Sequence, residues 1–135
     1  MPRKSKYTCG SFEFFEDDRG FYYLRTTEGE DIKAEDVVGV NDWIAAHTEG
    51  ERKPLLIELA YGSTIAHDVQ SFLAKGENRF STGDAILIST FAHKLSATFY
   101  LRHYKPKLPT RIFSDIFAAL DWLDAQRNAS GSEID

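Results

Sequence analysis

Ser63 with Thr64, Ser89 with Thr90, and Ser114 each follow a short apolar run and precede a segment of helical periodicity. A hydroxyl at such a junction can cap the helix by accepting one of its first backbone N–H groups. It can also join those unpaired N–H groups, and the positive end of the helix dipole, in holding a phosphate or carboxylate. If the strands run parallel, all three junctions fall along one edge of the sheet, where open α/β sheets place their ligands. These five residues form a candidate regulatory or anion-binding edge. Phosphorylation of Ser63 or Thr64 would add about −1.5 to −2 charges there and switch docking.

The remaining reactive side chains do not assemble into a motif. Glu58 sits in the apolar run Leu55-Leu56-Ile57-Glu58-Leu59; such a carboxylate either has a raised pKa and acts as an acid or base, or pairs with a nearby Lys or Arg, and pairing is expected. His47, His67, His93 and His103 are scattered. His93 and His103 lie roughly three turns apart on one helix, too far to share a metal without another element. Cys9 has no partner for an internal disulfide and reads as an idle thiol. Trp43 and Trp122 border apolar helical stripes and read as packing residues. No nucleophile turn, phosphate-binding glycine loop or metal-protease helix occurs. No catalytic, cofactor-binding or metal-ligating residue is assigned, and no cofactor is expected.

The elements that position these residues follow from the apolar pattern. Ser11 to Phe15 and Phe21 to Thr26 are β-runs joined by Glu16-Asp17-Asp18-Arg19-Gly20, which predicts a hairpin. Aromatic residues fall on both sides of the second run. Either this strand lies inside the sheet, or Tyr22 and Leu24 belong to an exposed patch awaiting a partner. Glu35 and Asp36 open a helix with the stripe Val37, Val40, Ile44 and Ala45, ending at Glu49 and Gly50. Gly39 weakens this helix by about 1 kcal/mol unless close packing demands it.

A continuous apolar strand from Pro54 to Leu59 suits a parallel strand covered on both faces. Ser63 or Thr64 is expected to cap a short helix carrying Ile65, Val69 and Phe72, with Gly76 near its end. Asp84 to Ile88 is the next strand. Ser89 or Thr90 caps a longer helix with the stripe Phe91 or Ala92, Leu95 and Phe99. Thr110 to Phe113 is a brief strand, and Ser114 caps a last helix burying Ile116, Ala119, Leu120 and Leu123. The order ββαβαβαβα implies parallel pairing through right-handed crossovers, with one antiparallel hairpin. The result is an α/β fold: a mixed sheet of about five strands and four helices.

At 135 residues the chain suits one domain, 1–135, with a core of about 11–126 and flexible tails at 1–6 and 128–135. Its net charge of −5 argues against nucleic-acid binding, and the basic cluster Arg3, Lys4 and Lys6 sits on a terminal arm. No run approaches the roughly 20 apolar residues of a spanning helix, and no secretory signal opens the chain, so no membrane insertion and a cytoplasmic location are expected.

The block from Tyr104 to Asp115, followed by Ala119-Leu120-Asp121-Trp122-Leu123, resembles the C-terminal block of a SpoIIAA-like family of small bacterial proteins with a STAS-type fold. The helix from Lys94 to Leu101, the strand from Pro54 to Ala60 and the hairpin fit as well, so the resemblance covers about Ser11 to Gln126. It implies a βα superhelix shared with anti-sigma-factor antagonists and, more distantly, with CRAL-TRIO lipid-transfer domains. In such antagonists a serine following an aspartate starts the helix after the third strand, and its phosphorylation switches partners. Here that place falls near Ala66 and His67 with no Asp-Ser pair, and Ser63 and Thr64 lie a few residues earlier. The expected function is a non-enzymatic bacterial protein-interaction module, regulatory in the STAS manner, with an unidentified protein partner or a homodimer docking through Tyr22 and Leu24. The alternative is CRAL-TRIO-like binding of an apolar small molecule or lipid, which requires an internal apolar pocket of several hundred cubic ångströms. An enzyme stands third.

Overall fold

A computed structural model describes residues 6–48, 50–75 and 80–133. The basic arm at Arg3 and Lys4, the helix-ending positions Glu49 and Gly76, and the last two residues of the chain lie outside the described residues. The aromatic runs pair as their alternation requires. β1 (Tyr7–Thr8), β2 (Phe12–Asp17) and β3 (Phe21–Thr26) form an antiparallel meander in which Phe12 faces Thr26 and Asp17 faces Phe21. After β4 (Asp31–Ile32) come α1 (Ala34–Thr48), β5 (Lys53–Glu58), β6 (Thr64–Ile65), α2 (His67–Ala74), β7 (Ser81–Leu87), α3 (Phe91–Tyr104), β8 (Thr110–Phe113) and α4 (Ile116–Glu133).

The main sheet has six strands in the spatial order β1-β2-β3-β5-β7-β8, with β3, β5, β7 and β8 mutually parallel. A second, two-stranded parallel ladder joins β4 to β6. The expected five strands are thus all present. β1 extends the meander, and the β4–β6 pair is added; strands of two residues are too short to show a period.

Both faces of the sheet are covered. On one, Phe12, Phe14, Tyr22, Leu24, Leu55, Ile57 and Ile86 pack against Val37, Val40 and Ile44 of α1, Val69 and Leu73 of α2, and Ala97 and Tyr100 of α3. On the other, Phe21, Tyr23, Leu56 and Ala85 pack against Ala119 and Leu123 of α4. β3 is therefore an interior strand, which explains its aromatics on both sides. Tyr22 is 0% and Leu24 7% exposed, so the expected interaction patch is core. The Tyr22 hydroxyl donates to the carbonyl of Glu51 at 2.5 Å, the partner that a buried phenol needs.

Four further expectations are corrected. In α3 the predicted stripe faces solvent: Phe91 is 73%, Leu95 57% and Phe99 50% exposed, while His93, Ala97 and Tyr100, spaced four and three residues apart, face inward. α2 starts at His67 behind an N-cap at Ala66, because Ile65 is held in the β4–β6 ladder opposite Ile32. α4 continues through Asn128 to Glu133, past the end that its polar composition predicts. In α1, Ala45 lies outside the buried stripe. Gly50, at φ +77°, follows that helix in the left-handed conformation that favours glycine.

Gly39 has the packing reason its place in a helix calls for. A Cβ built there would lie 2.2 Å from the Tyr7 hydroxyl and 2.5 Å from Cζ of the same ring. Tyr7 lies across α1, and its hydroxyl donates to the carbonyl of Asp36 at 3.4 Å. Gly39→Ala is expected to lower stability by about 1–2 kcal/mol, overpacking outweighing the gain in helix propensity. With Tyr7→Ala already present, the same change should stabilise by about 1 kcal/mol. Urea unfolding of the two single variants and the double variant measures this reversal of sign; equal effects in both backgrounds would show that Tyr7 is not the obstacle.

Candidate functional site

Between the sheet, α2 and α3 lies a cavity of about 260 Å³. Its floor is Ile57 of β5 with Asp84 and Ile86 of β7, residues that alternate onto the same face of the parallel ladder. Gln70 and Leu73 of α2 form one wall, and His93, Ser96, Ala97 and Tyr100 of α3 the other. Ser63, Thr64 and Ile65, from the segment joining β5 to α2, border it. The space exists because α3 turns the small residue Ala97 toward the sheet and its phenylalanines away, with the exposed Ser96 at the cavity's border.

The walls are mostly apolar, but their polar atoms are unusual. Four buried side-chain polar atoms lack a hydrogen-bond partner among the described residues, and three of them, Gln70 Oε1, His93 Nδ1 and the Tyr100 hydroxyl, belong to residues lining this cavity. Asp84 is 2% exposed and receives a short hydrogen bond from the Ser81 hydroxyl. Among the described residues no Lys or Arg pairs with it. Burial pushes the Asp84 carboxyl up to about 6, against the opposing effect of the Ser81 hydrogen bond. Tyr100 is also raised, first by burial and then by the charge of Asp84.

Two hydrogen bonds fix the character of the unpartnered atoms. His93 Nε2 lies 3.3 Å from the carbonyl oxygen of Ser63, which can only accept, so Nε2 carries a proton and, in the tautomer this bond selects, Nδ1 is an acceptor. Gln70 Nε2 donates to the carbonyl of Ile65 at 2.7 Å, which identifies its Oε1 as the free acceptor.

The five hydroxyl residues predicted from sequence separate. Ser63 and Thr64 line the cavity, whereas Ser89, Thr90 and Ser114 do not. Neither of the first two caps α2. The Ser63 side chain is buried; it donates to the carbonyl of Ala60 at 2.8 Å and accepts from Thr26 Oγ1 at 2.9 Å. Thr64 donates to Asp31 Oδ1 across the β4–β6 ladder. Thr90 does cap α3, accepting the backbone N–H of His93 at 3.1 Å. At α4 the acceptor is Asp115, not Ser114: Oδ1 takes the N–H of Phe117 at 3.1 Å. Asp31 and Asp115 thus put carboxylates where an anion would dock at two of the three junctions.

Glu58 pairs as expected, accepting from the Tyr23 hydroxyl at 2.6 Å and facing Arg25 Nε at 3.2 Å. Trp43 meets the edge of Phe14, and Trp122 packs on Phe113. Of the histidines, His67 and His93 line the cavity, while His47 stacks on Trp43 and His103 on Phe99. Among the described residues no group of three or more His, Cys, Asp or Glu side chains could hold a metal ion, and no helix is long and apolar enough to cross a membrane. Asp84, Gln70 and Tyr100 are the site residues that sequence reasoning missed. An acid beside the apolar run Ala85-Ile86-Leu87-Ile88 was the available signal, the same one that singled out Glu58.

This architecture, a mixed sheet with three helices on one face and one on the other, is a SpoIIAA-like fold. A protein of the DUF3478 family with that fold from Shewanella loihica PV-4, itself uncharacterised, superposes with a TM-score of 0.56 at 15% identity, over 91% of this chain and 98% of its own. The chain belongs to the family defined by the domain of unknown function DUF7793, matched over residues 15–127. No curated protein matches it.

Asp84 makes stability depend on pH in a defined direction. Unfolded, its carboxyl ionises near 3.8; folded, near 6. Between those values the folded chain holds a proton that the unfolded chain has released, so this residue's contribution falls as pH rises through the window. Asp84→Asn keeps an acceptor for Ser81 and removes the charge. Its stability relative to the native chain should therefore rise by about 2.4 kcal/mol between pH 4 and pH 7, read from urea unfolding at both pH values. A difference independent of pH would contradict the burial of an ionisable carboxyl here.

Proposed function

We propose that this domain is a binding module, not an enzyme, that takes a small, mainly apolar molecule into the cavity between the sheet, α2 and α3. One observation carries the reading: among the described residues, three of the four buried, unpartnered side-chain polar atoms belong to residues of this one cavity. Native interiors satisfy nearly all such atoms, and the exceptions call for a partner from outside the chain, whether water, ion or bound molecule, or for a chemical role. Apolar walls with a few convergent polar groups are the usual make-up of a small-molecule site. A volume of about 260 Å³ corresponds to roughly eight or nine water molecules at liquid density. That favours a compact molecule over a long-chain lipid.

A regulatory protein-interaction role has support from a different surface. The outer face of α3 exposes Phe91, Leu95 and Phe99, with Lys94 and Arg102 beside them. α3 carries no acidic residue. Symmetric pairing of two copies through this helix would bring cations together without a counter-charge, so the face suits an acidic, apolar segment of another protein.

Two measurements test these readings. Cyclohexanol, a neutral probe, is expected to shift the methyl NMR signals of Ile57, Ile65, Leu73 and Ile86, and Ala97→Leu, which fills the cavity, is expected to abolish those shifts without unfolding the chain. Shifts confined to surface methyls, or surviving in Ala97→Leu, would place binding elsewhere. For the second reading, a partner recovered by affinity purification should be lost with Leu95→Glu while the unfolding free energy stays within about 0.5 kcal/mol of the native chain. Sedimentation velocity should show a monomer; a dimer disrupted by Leu95→Glu would instead assign the face to self-association.

A further inference from the structure

We infer that the molecule held in this cavity is a primary amine with a compact apolar body, its ammonium group set against the Asp84 carboxylate. The inference rests on the cavity reading above and adds the chemical class of the ligand.

Counting donors and acceptors leads to it. Gln70 Oε1 is an acceptor because its amide nitrogen is already committed to the carbonyl of Ile65. His93 Nδ1 is an acceptor because Nε2 carries the proton shared with Ser63. The Asp84 carboxylate has only acceptor positions, and the Ser81 hydroxyl occupies one oxygen. The Tyr100 hydroxyl, without a partner, can donate or accept. Unused capacity in this wall is therefore weighted heavily toward acceptors. A ligand that satisfies it must bring donors, and an ammonium brings three with no acceptor.

Charge points the same way. Asp84 lies on the floor with no cation beside it among the described residues, and a buried carboxylate without a counter-charge is costly. No Lys or Arg lines the cavity. The other titratable lining groups are Tyr100 and His93 of α3 and His67 of α2; His67 is exposed and bonded through Nδ1 to the Tyr104 hydroxyl at 3.1 Å. A carboxylate ligand would meet Asp84 with like charge and find acceptors where it needs donors. Apolar side chains, Ile57, Leu59, Ile65, Leu73 and Ile86, account for the rest of the specificity by enclosing a hydrocarbon body.

Calorimetry on the full chain with three probes of one shape tests this: cyclohexylammonium, cyclohexanol and cyclohexanecarboxylate at pH 7.5. The amine is expected to bind at least tenfold more tightly than the alcohol, and the carboxylate more weakly than either. Asp84→Asn should bring amine and alcohol to within about threefold. In the native chain, lowering the pH from 7.5 to 5 should weaken the amine at least fivefold and leave the alcohol unchanged, a readout that does not depend on the variant folding. Repeating that titration in His67→Gln should give the same loss, and in Asp84→Asn should abolish it, since neither lining histidine is its source; a loss that persists in Asp84→Asn overturns the inference. An amine preference that survives in Asp84→Asn, or a carboxylate that binds as tightly as the amine, overturns the inference. Alcohol binding in the cavity with no preference for the amine overturns it while leaving the cavity reading intact. Failure of all three probes to bind overturns both.

Discussion

The constraint on which the rest of this structure depends is the burial of β5 on both faces. Leu55, Leu56 and Ile57 are successive residues, so adjacent side chains point to opposite sides of the sheet, and all three are almost wholly buried. Each such burial contributes about 1.5–3 kcal/mol, but only if both faces are covered. Parallel neighbours on either side, β3 and β7, require crossover connections, and the crossovers supply the covering helices. α1, α2 and α3 cover one face and α4 the other. The Tyr22 and Phe21 sides of β3 are buried for the same reason: a strand next to a doubly covered strand is itself doubly covered.

Within that frame α3 is laid down against its own hydrophobicity. A helix normally turns its largest apolar residues to the core. α3 turns Phe91, Leu95 and Phe99 outward and offers His93, Ala97 and Tyr100 to the sheet. One choice of helix rotation thereby produces two features: an apolar outer face beside Lys94 and Arg102, and an inner face too small to fill the space above β7. The cavity is the second of these. Its polar lining distinguishes it from a packing defect, since an unfilled space in an apolar core would be bounded by apolar atoms.

The same rotation explains what could be read from the sequence. The hairpin, β5, β7 and α4 were legible because their apolar residues recur with the right period and have only one way to be buried. The parallel edge was legible too, and Ser63 and Thr64 do border the cavity. Their role was not: a hydroxyl before a helix suggests a cap, but Ser63 instead ties the end of β5 to Thr26 and Ala60. α3 lies outside what the sequence decides, because periodicity identifies an apolar face without saying which way that face points. His93 and Tyr100 then dropped out of the stripe as polar residues, and Asp84 passed as the start of a strand. The site's chemistry was therefore hidden behind a single helix rotation, which tertiary packing and not local pattern decides.

The groups lining the cavity work against the stability of the free protein. A buried polar atom without a partner costs about 1–3 kcal/mol, and Asp84 adds the cost of an ionised carboxyl at neutral pH. Outside the cavity, Thr82 Oγ1 alone among the described residues is a buried side-chain polar atom without a partner, whereas the buried Tyr22 hydroxyl is bonded, so the deficit is concentrated at the cavity. Local deficits of this kind concentrate where a protein holds something other than itself, because an occupant that completes the hydrogen bonds recovers on binding what the free fold forgoes.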